Sequence, residues 1–120
     1  MLVKIRSSRL FDTSPAIRFA NQYSVPENMW TEMWKRHKML EFTLSELQEY
    51  FLIKTGKKIR KRQITRWIFL TDIYSRTKPA REKGAEVIDT SMFGEFEDKV
   101  IEELTRHLKS GSTKRVNVLV

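Results

Sequence analysis

The sequence has no cysteine, two histidines, three prolines and four glycines in 120 residues. Without cysteine there is no disulfide framework, thiolate zinc site or cysteine nucleophile. His37 and His107 have no metal-ligand spacing with another candidate, so each is expected to cap or cover a helix end. The glycines do not cluster, which removes a phosphate-cradling loop, and no Gly-x-Ser-x-Gly turn occurs. No apolar run approaches the roughly 18–20 residues of a membrane span. Lys4 and Arg6 lie where a signal peptide needs an apolar stretch, which argues against secretion. The expectation is an intracellular domain, cytoplasmic or nucleoid-associated. It is expected to have no catalytic activity, no cofactor, no metal and no membrane attachment.

A further absence is local. From Phe51 to Thr71 there is no acidic residue. Lys54, Lys57, Lys58, Arg60, Lys61, Arg62, Arg66, Arg76, Lys78, Arg81 and Lys83 supply eleven cations between positions 54 and 83, against only Asp72 and Glu82. That stretch carries a net +9, and the remaining 12 basic and 13 acidic residues a net −1, within a chain total of +8. Such segregation opposes compaction and is most simply explained by a polyanionic partner. A solvated charged face is the plainer alternative. A membrane surface fits less well, because these charges straddle a turn instead of edging an insertable amphipathic helix.

The hydrophobic fraction of 40% and aromatic fraction of 11% are those of a folding chain of one domain, residues 1–120. Periodicity predicts a mainly α domain with minor short terminal β-strands. Val3 and Ile5 alternate as a weak strand, and Val116, Val118 and Val120 as a terminal one. Either edge could pair within or between chains. Ser14-Pro15 starts a helix broken by Ser24–Pro26. A second helix, 26–39, carries Met29, Trp30, Met33 and Trp34 as a broad apolar stripe. Thr43-Leu44-Ser45-Glu46 is a capping box opening a helix to about Thr55, and Gly56 suits the left-handed position beyond it. Leu44, Leu47, Tyr50 and Phe51 form its buried face.

A helix over 61–75 buries Ile64, Trp67, Ile68 and Thr71. Its opposite face bears Arg62, Thr65, Arg66, Phe69 and Ile73, with the apolar end needing cover. Residues 77–84 read as a basic loop and 86–90 as a short strand. Residues 95–109 read as an amphipathic helix with Phe96, Val100, Ile101, Leu104 and Leu108 on one face. Glu95, Glu97, Asp98, Glu102 and Glu103 are then its solvated side and not a nuclease metal group.

Residues 43–75 therefore make two capped helices joined by a short turn. With the run Ile59-Arg60-Lys61-Arg62-Gln63-Ile64-Thr65-Arg66-Trp67-Ile68, this resembles the helix-turn-helix superfamily of DNA-binding proteins. Ile59, Ile64 and Trp67 take the packing roles. The likeness covers about 30 residues, and the Lys54–Arg60 turn is longer than the compact one of the motif. The resemblance implies a helix-turn-helix core and a small transcriptional regulator, phage-like in size, that reads duplex DNA with the helix at 61–75.

On that reading Arg62, Gln63, Thr65 and Arg66 meet base edges. Arg suits guanine O6/N7, Gln suits adenine N6/N7, and Thr65 suits a thymine methyl or a phosphate. Lys54, Lys57, Lys58, Arg60 and Lys61 contact phosphates, and Arg76, Lys78, Arg81 and Lys83 extend that footprint. Pairing of half-sites makes a homodimer plausible.

Two other classes use the same features. An RNA-binding or ribonucleoprotein component would stack unpaired bases on exposed aromatics. An adaptor would bind an acidic surface of a polymerase or other assembly, with Phe69, Ile73 and the Met/Trp stripe as anchors.

Overall fold

The computed structural model describes residues 2–4, 13–84 and 87–107. The chain is mainly helical with one short two-stranded sheet. It packs as two units: Ser14–Asp72, and Met1–Thr13 together with Ile73–Val120.

The first unit contains α1 (Pro15–Tyr23), α2 (Glu27–Lys38), α3 (Leu44–Thr55) and most of α4 (Lys61–Arg76). Each boundary has a local cause. The Ser14 hydroxyl accepts from the Ile17 N–H at 3.2 Å, and Pro15 holds the first helical position, where a missing N–H costs nothing. Ser24 ends α1 in the left-handed conformation, and Pro26 precedes α2. The box at α3 is reciprocal: the Glu46 N–H donates to Thr43 Oγ1 at 3.2 Å, and the Thr43 N–H donates to Glu46 Oε1 at 3.0 Å. Gly56 leaves α3 with φ 71°, a geometry that glycine adopts without a Cβ penalty.

α2 ends differently. The Glu41 N–H reaches back to the Arg36 carbonyl at 2.9 Å and the Leu40 N–H to the His37 carbonyl at 3.0 Å, a Schellman closure. Leu40, with φ 61°, fills the place usually given to glycine. His37 covers the same helix end, with Nδ1 2.9 Å from the Phe42 carbonyl oxygen.

Each helix of this unit supplies one ring to a shared core. Phe19 of α1 stacks on Trp30 of α2 with centroids 4.2 Å apart, and meets Phe51 of α3 edge-on at 5.1 Å and Trp67 of α4 at 5.9 Å. Such offset and edge-on pairs suit the ring quadrupoles. The Trp30 indole N–H donates to Thr71 Oγ1 at 3.0 Å, and that hydroxyl donates to the Trp67 carbonyl at 2.7 Å. The core polar groups of α2 and α4 thus satisfy one another.

At the surface, Asp72 accepts from the Trp34 indole at 2.9 Å and from Lys38 Nζ at 3.0 Å. Asp72→Ala is expected to cost about 1–3 kcal/mol, because a half-buried donor loses its acceptor. Asp72→Asn keeps an acceptor for Trp34 and should cost less than about 1 kcal/mol, since the partly exposed ion pair contributes little. Urea denaturation of both variants measures the difference, and equal losses would contradict it.

In the second unit β1 (Leu2–Lys4) runs antiparallel to β2 (Val87–Asp89), with Val3 opposite Ile88. Both of these residues are buried. A 3-10 segment (Thr90–Phe96) leads into α6 (Glu97–His107). Asp89 starts it by accepting from the Ser91 N–H at 3.0 Å. Hydrogen bonds from the Ser91 side chain and backbone hold the Asp89 carboxyl below its ordinary pKa. Ile73, Phe93, Val100 and Leu104 fill the core of this unit.

The basic stretch 77–84 is not all loop: Lys78–Glu82 forms α5, with Pro79 in its first turn, where a proline is tolerated. The helix expected from 95 begins as the 3-10 segment, with a kink at Gly94. That break rotates Phe96 off the buried face and leaves it 54% exposed. Glu103 is buried instead of lying on a solvated side. Ile73, placed on the outer face of its helix, is fully buried. The N-terminal strand has 87–89 as its partner, and the expected strand at 114–120 lies outside the described residues. Among the described residues no helix is long and apolar enough to cross a membrane.

Candidate nucleic-acid interface

The turn between α3 and α4 runs over residues 56–60 and is held from both sides. Ile59 is 1% exposed and anchors it in the core. The Gln48 amide donates to the Ile59 carbonyl at 3.0 Å, tying the turn to the preceding helix. Thr55 Oγ1 donates to the Phe51 carbonyl at 2.7 Å and accepts from the Lys57 N–H at 3.0 Å. With its backbone fixed and Ile59 turned inward, the turn leaves Lys57, Lys58 and Arg60 exposed. Neither Gln48 nor Thr55 stood out in the sequence. Thr55, followed by Gly56, carries the weak signal of a hydroxyl-capped turn, and Gln48 carries none.

α4 opens without a side-chain cap. Position 60 is arginine, where Ser, Thr, Asp or Asn would stabilise the helix start. Its carbonyl accepts from the Gln63 N–H at 2.9 Å and the Ile64 N–H at 3.1 Å. The first turn holds Lys61 and Arg62 and no acid. Cations there face the positive end of the helix dipole, the opposite of what helix stability favours.

Beyond this turn the two sides of α4 differ sharply. Ile64, Trp67, Ile68, Leu70 and Thr71 are buried, whereas Arg62, Thr65 and Arg66 are exposed and share one face by their spacing. Among the described residues, no carboxylate lies in ion-pair range of Lys57, Lys58, Arg60, Lys61 or Arg62. The site is therefore a cationic turn and helix start that no carboxylate of the described residues neutralises.

Comparison with protein-family models, curated proteins and solved structures finds no match.

Other expected residues fall elsewhere or are partly engaged. Gln63 is half-buried beside the exposed row. The Thr65 hydroxyl donates to the Lys61 carbonyl at 2.9 Å, so its remaining chemistry is an acceptor and a methyl. Lys54 lies in the last turn of α3, its Nζ 5.7 Å from the Tyr50 ring centroid, a local cation–π contact. Arg76, Lys78 and Lys83 belong to the second unit. Arg76 lies over the Phe93 ring at 5.6 Å, and Lys78 approaches Glu82 at 3.8 Å. Arg81 lies in α5, and its side chain is outside the described ones. The anchors expected for an adaptor are mostly internal: Trp30, Met33 and Ile73 are buried, and Phe69 is half-buried.

Proposed function

We propose that this protein binds duplex DNA through the 57–66 surface, as a small helix-turn-helix regulator with α4 as the reading helix. One observation carries the proposal. Among the described residues Lys57, Lys58, Arg60, Lys61 and Arg62 have no carboxylate in ion-pair range, and Lys61 and Arg62 lie at a helix end that disfavours cations. A phosphate backbone supplies the missing anions. Lys57, Lys58, Arg60 and Lys61 suit phosphates, while Arg62, Gln63 and Arg66 have the donor geometry for base edges. Lys54 stands at the margin of this surface, and Thr65 is left with van der Waals contact or acceptance.

Duplex is favoured over unpaired RNA by the state of the rings. Among the described residues of Ser14–Asp72 every aromatic side chain is buried or half-buried, which leaves unpaired bases little ring surface to stack on.

The test is duplex binding across a salt series. About four to six phosphate contacts predict a log–log slope of roughly −3.5 to −5.5. A slope near zero rejects the proposal. Competition by structured RNA at equal salt, if it matches duplex DNA, moves the assignment to RNA.

A further inference from the structure

Thr65 stands apart on the cationic surface. Every other exposed side chain of residues 57–66 is a lysine or an arginine, while Ile59 and Ile64 are buried and Gln63 is half-buried. Attraction to phosphate accounts for the cations and not for a threonine among them. Helix propensity does not favour it either, since a β-branched side chain loses rotamer freedom against the preceding turn.

Its hydrogen bond narrows the chemistry it can offer. A threonine hydroxyl has one proton to donate, and here that proton goes to the Lys61 carbonyl at 2.9 Å. The bond spans one helical turn and draws the oxygen back onto the helix. Phosphate oxygens only accept, so a phosphate contact would require breaking it. The tetrahedral Cβ sets the γ-methyl away from that oxygen, and the methyl is the group left to meet a partner. Arg62, one turn back, and Arg66 share the same exposed face of α4.

Of the four bases, thymine alone presents a methyl group in the major groove. We infer that Thr65 is a specificity-determining residue that selects thymine by contact between the two methyl groups. The inference rests on the reading of the 57–66 surface as a duplex interface. It adds a base identity that the charge of that surface does not supply.

The test uses the full chain and a duplex library randomised over about one helical turn. Selection yields a preferred duplex, and each of its thymines is then replaced in turn by deoxyuridine, which pairs identically and lacks the methyl. One replacement is expected to weaken binding about fourfold, the value for burying one methyl-sized group. Thr65→Val keeps the methyl without the hydroxyl and should retain that sensitivity. Thr65→Ser keeps the hydroxyl without the methyl and should bind the thymine and deoxyuridine duplexes alike. Thr65 is exposed, so both variants should melt close to the unsubstituted protein. The inference is overturned if the protein binds its preferred duplex and no thymine replacement weakens it, or if Thr65→Ser stays sensitive to the replacement. Loss of sensitivity in Thr65→Val also overturns it, because the contact would then run through the hydroxyl oxygen. Failure to bind any duplex rejects the interface itself, an outcome distinct from these three.

Discussion

Arg62→Ala is expected to weaken binding to a preferred duplex by about 1–3 kcal/mol, roughly 5- to 150-fold, and to relax discrimination at one base position. Arg62 is exposed on the first turn of α4, with no carboxylate in range among the described residues. Removing it therefore breaks no ion pair among the described residues, so a loss of this size would report the proposed interface. Lys58→Ala is the matched control. Lys58 lies in the turn, which the proposed docking of α4 sets against phosphate and not bases. Its loss should weaken all duplexes alike and make the salt slope about one unit shallower. Titration of a small panel of duplexes separates the two. Uniform loss for both variants would leave α4 as a phosphate-binding helix without sequence readout.

Trp30→Ala should destabilise the Ser14–Asp72 unit by about 3–5 kcal/mol, the range for truncating a buried large aromatic. Trp30 is fully buried, stacks on Phe19 and donates to Thr71. Alanine removes the ring contacts and opens a cavity between α2 and α4. Trp30→Phe separates the two contributions. It keeps most of the apolar contact and loses the indole hydrogen bond, for about 1–2 kcal/mol. Thr71 still donates to the Trp67 carbonyl in both variants, so no core hydroxyl is stranded. Guanidinium denaturation followed by far-UV circular dichroism measures both losses. A cost below about 1 kcal/mol for alanine would mean that the aromatic core is not what joins α2 to α4.

Core and candidate interface were not equally legible in the sequence. The capping box at Thr43, the proline start at Pro15 and the left-handed exit at Gly56 are local devices, each settled by hydrogen bonds or sterics within a few residues. Periodicity likewise placed Ile64, Trp67, Ile68 and Thr71 inward, because burial follows 3.6-residue spacing where a helix is regular. It failed at Phe96, because the backbone before α6 is 3-10 and kinked at Gly94, and the angular bookkeeping of an α-helix does not carry across such a break. It also failed at residues 78–82, where proline and glycine signalled a loop and the chain closes one more helical turn.

The sequence by itself determined where the charge lies. The stretch from Phe51 to Thr71 holds no acid, so residues 57–66 cannot be neutralised by their neighbours in sequence. Composition likewise determined that no thiol chemistry operates here. Tertiary structure decided which cations stand together in one unit. It set Lys57, Lys58, Arg60, Lys61 and Arg62 on one turn and helix start by burying Ile59 and tying the turn to Gln48 and Thr55. It assigned Arg76, Lys78 and Lys83 to another unit. It also left Leu40 in water in a backbone conformation that leucine disfavours. These outcomes depend on contacts between residues distant in sequence, such as Phe19 with Trp67, and a linear pattern carries no record of them.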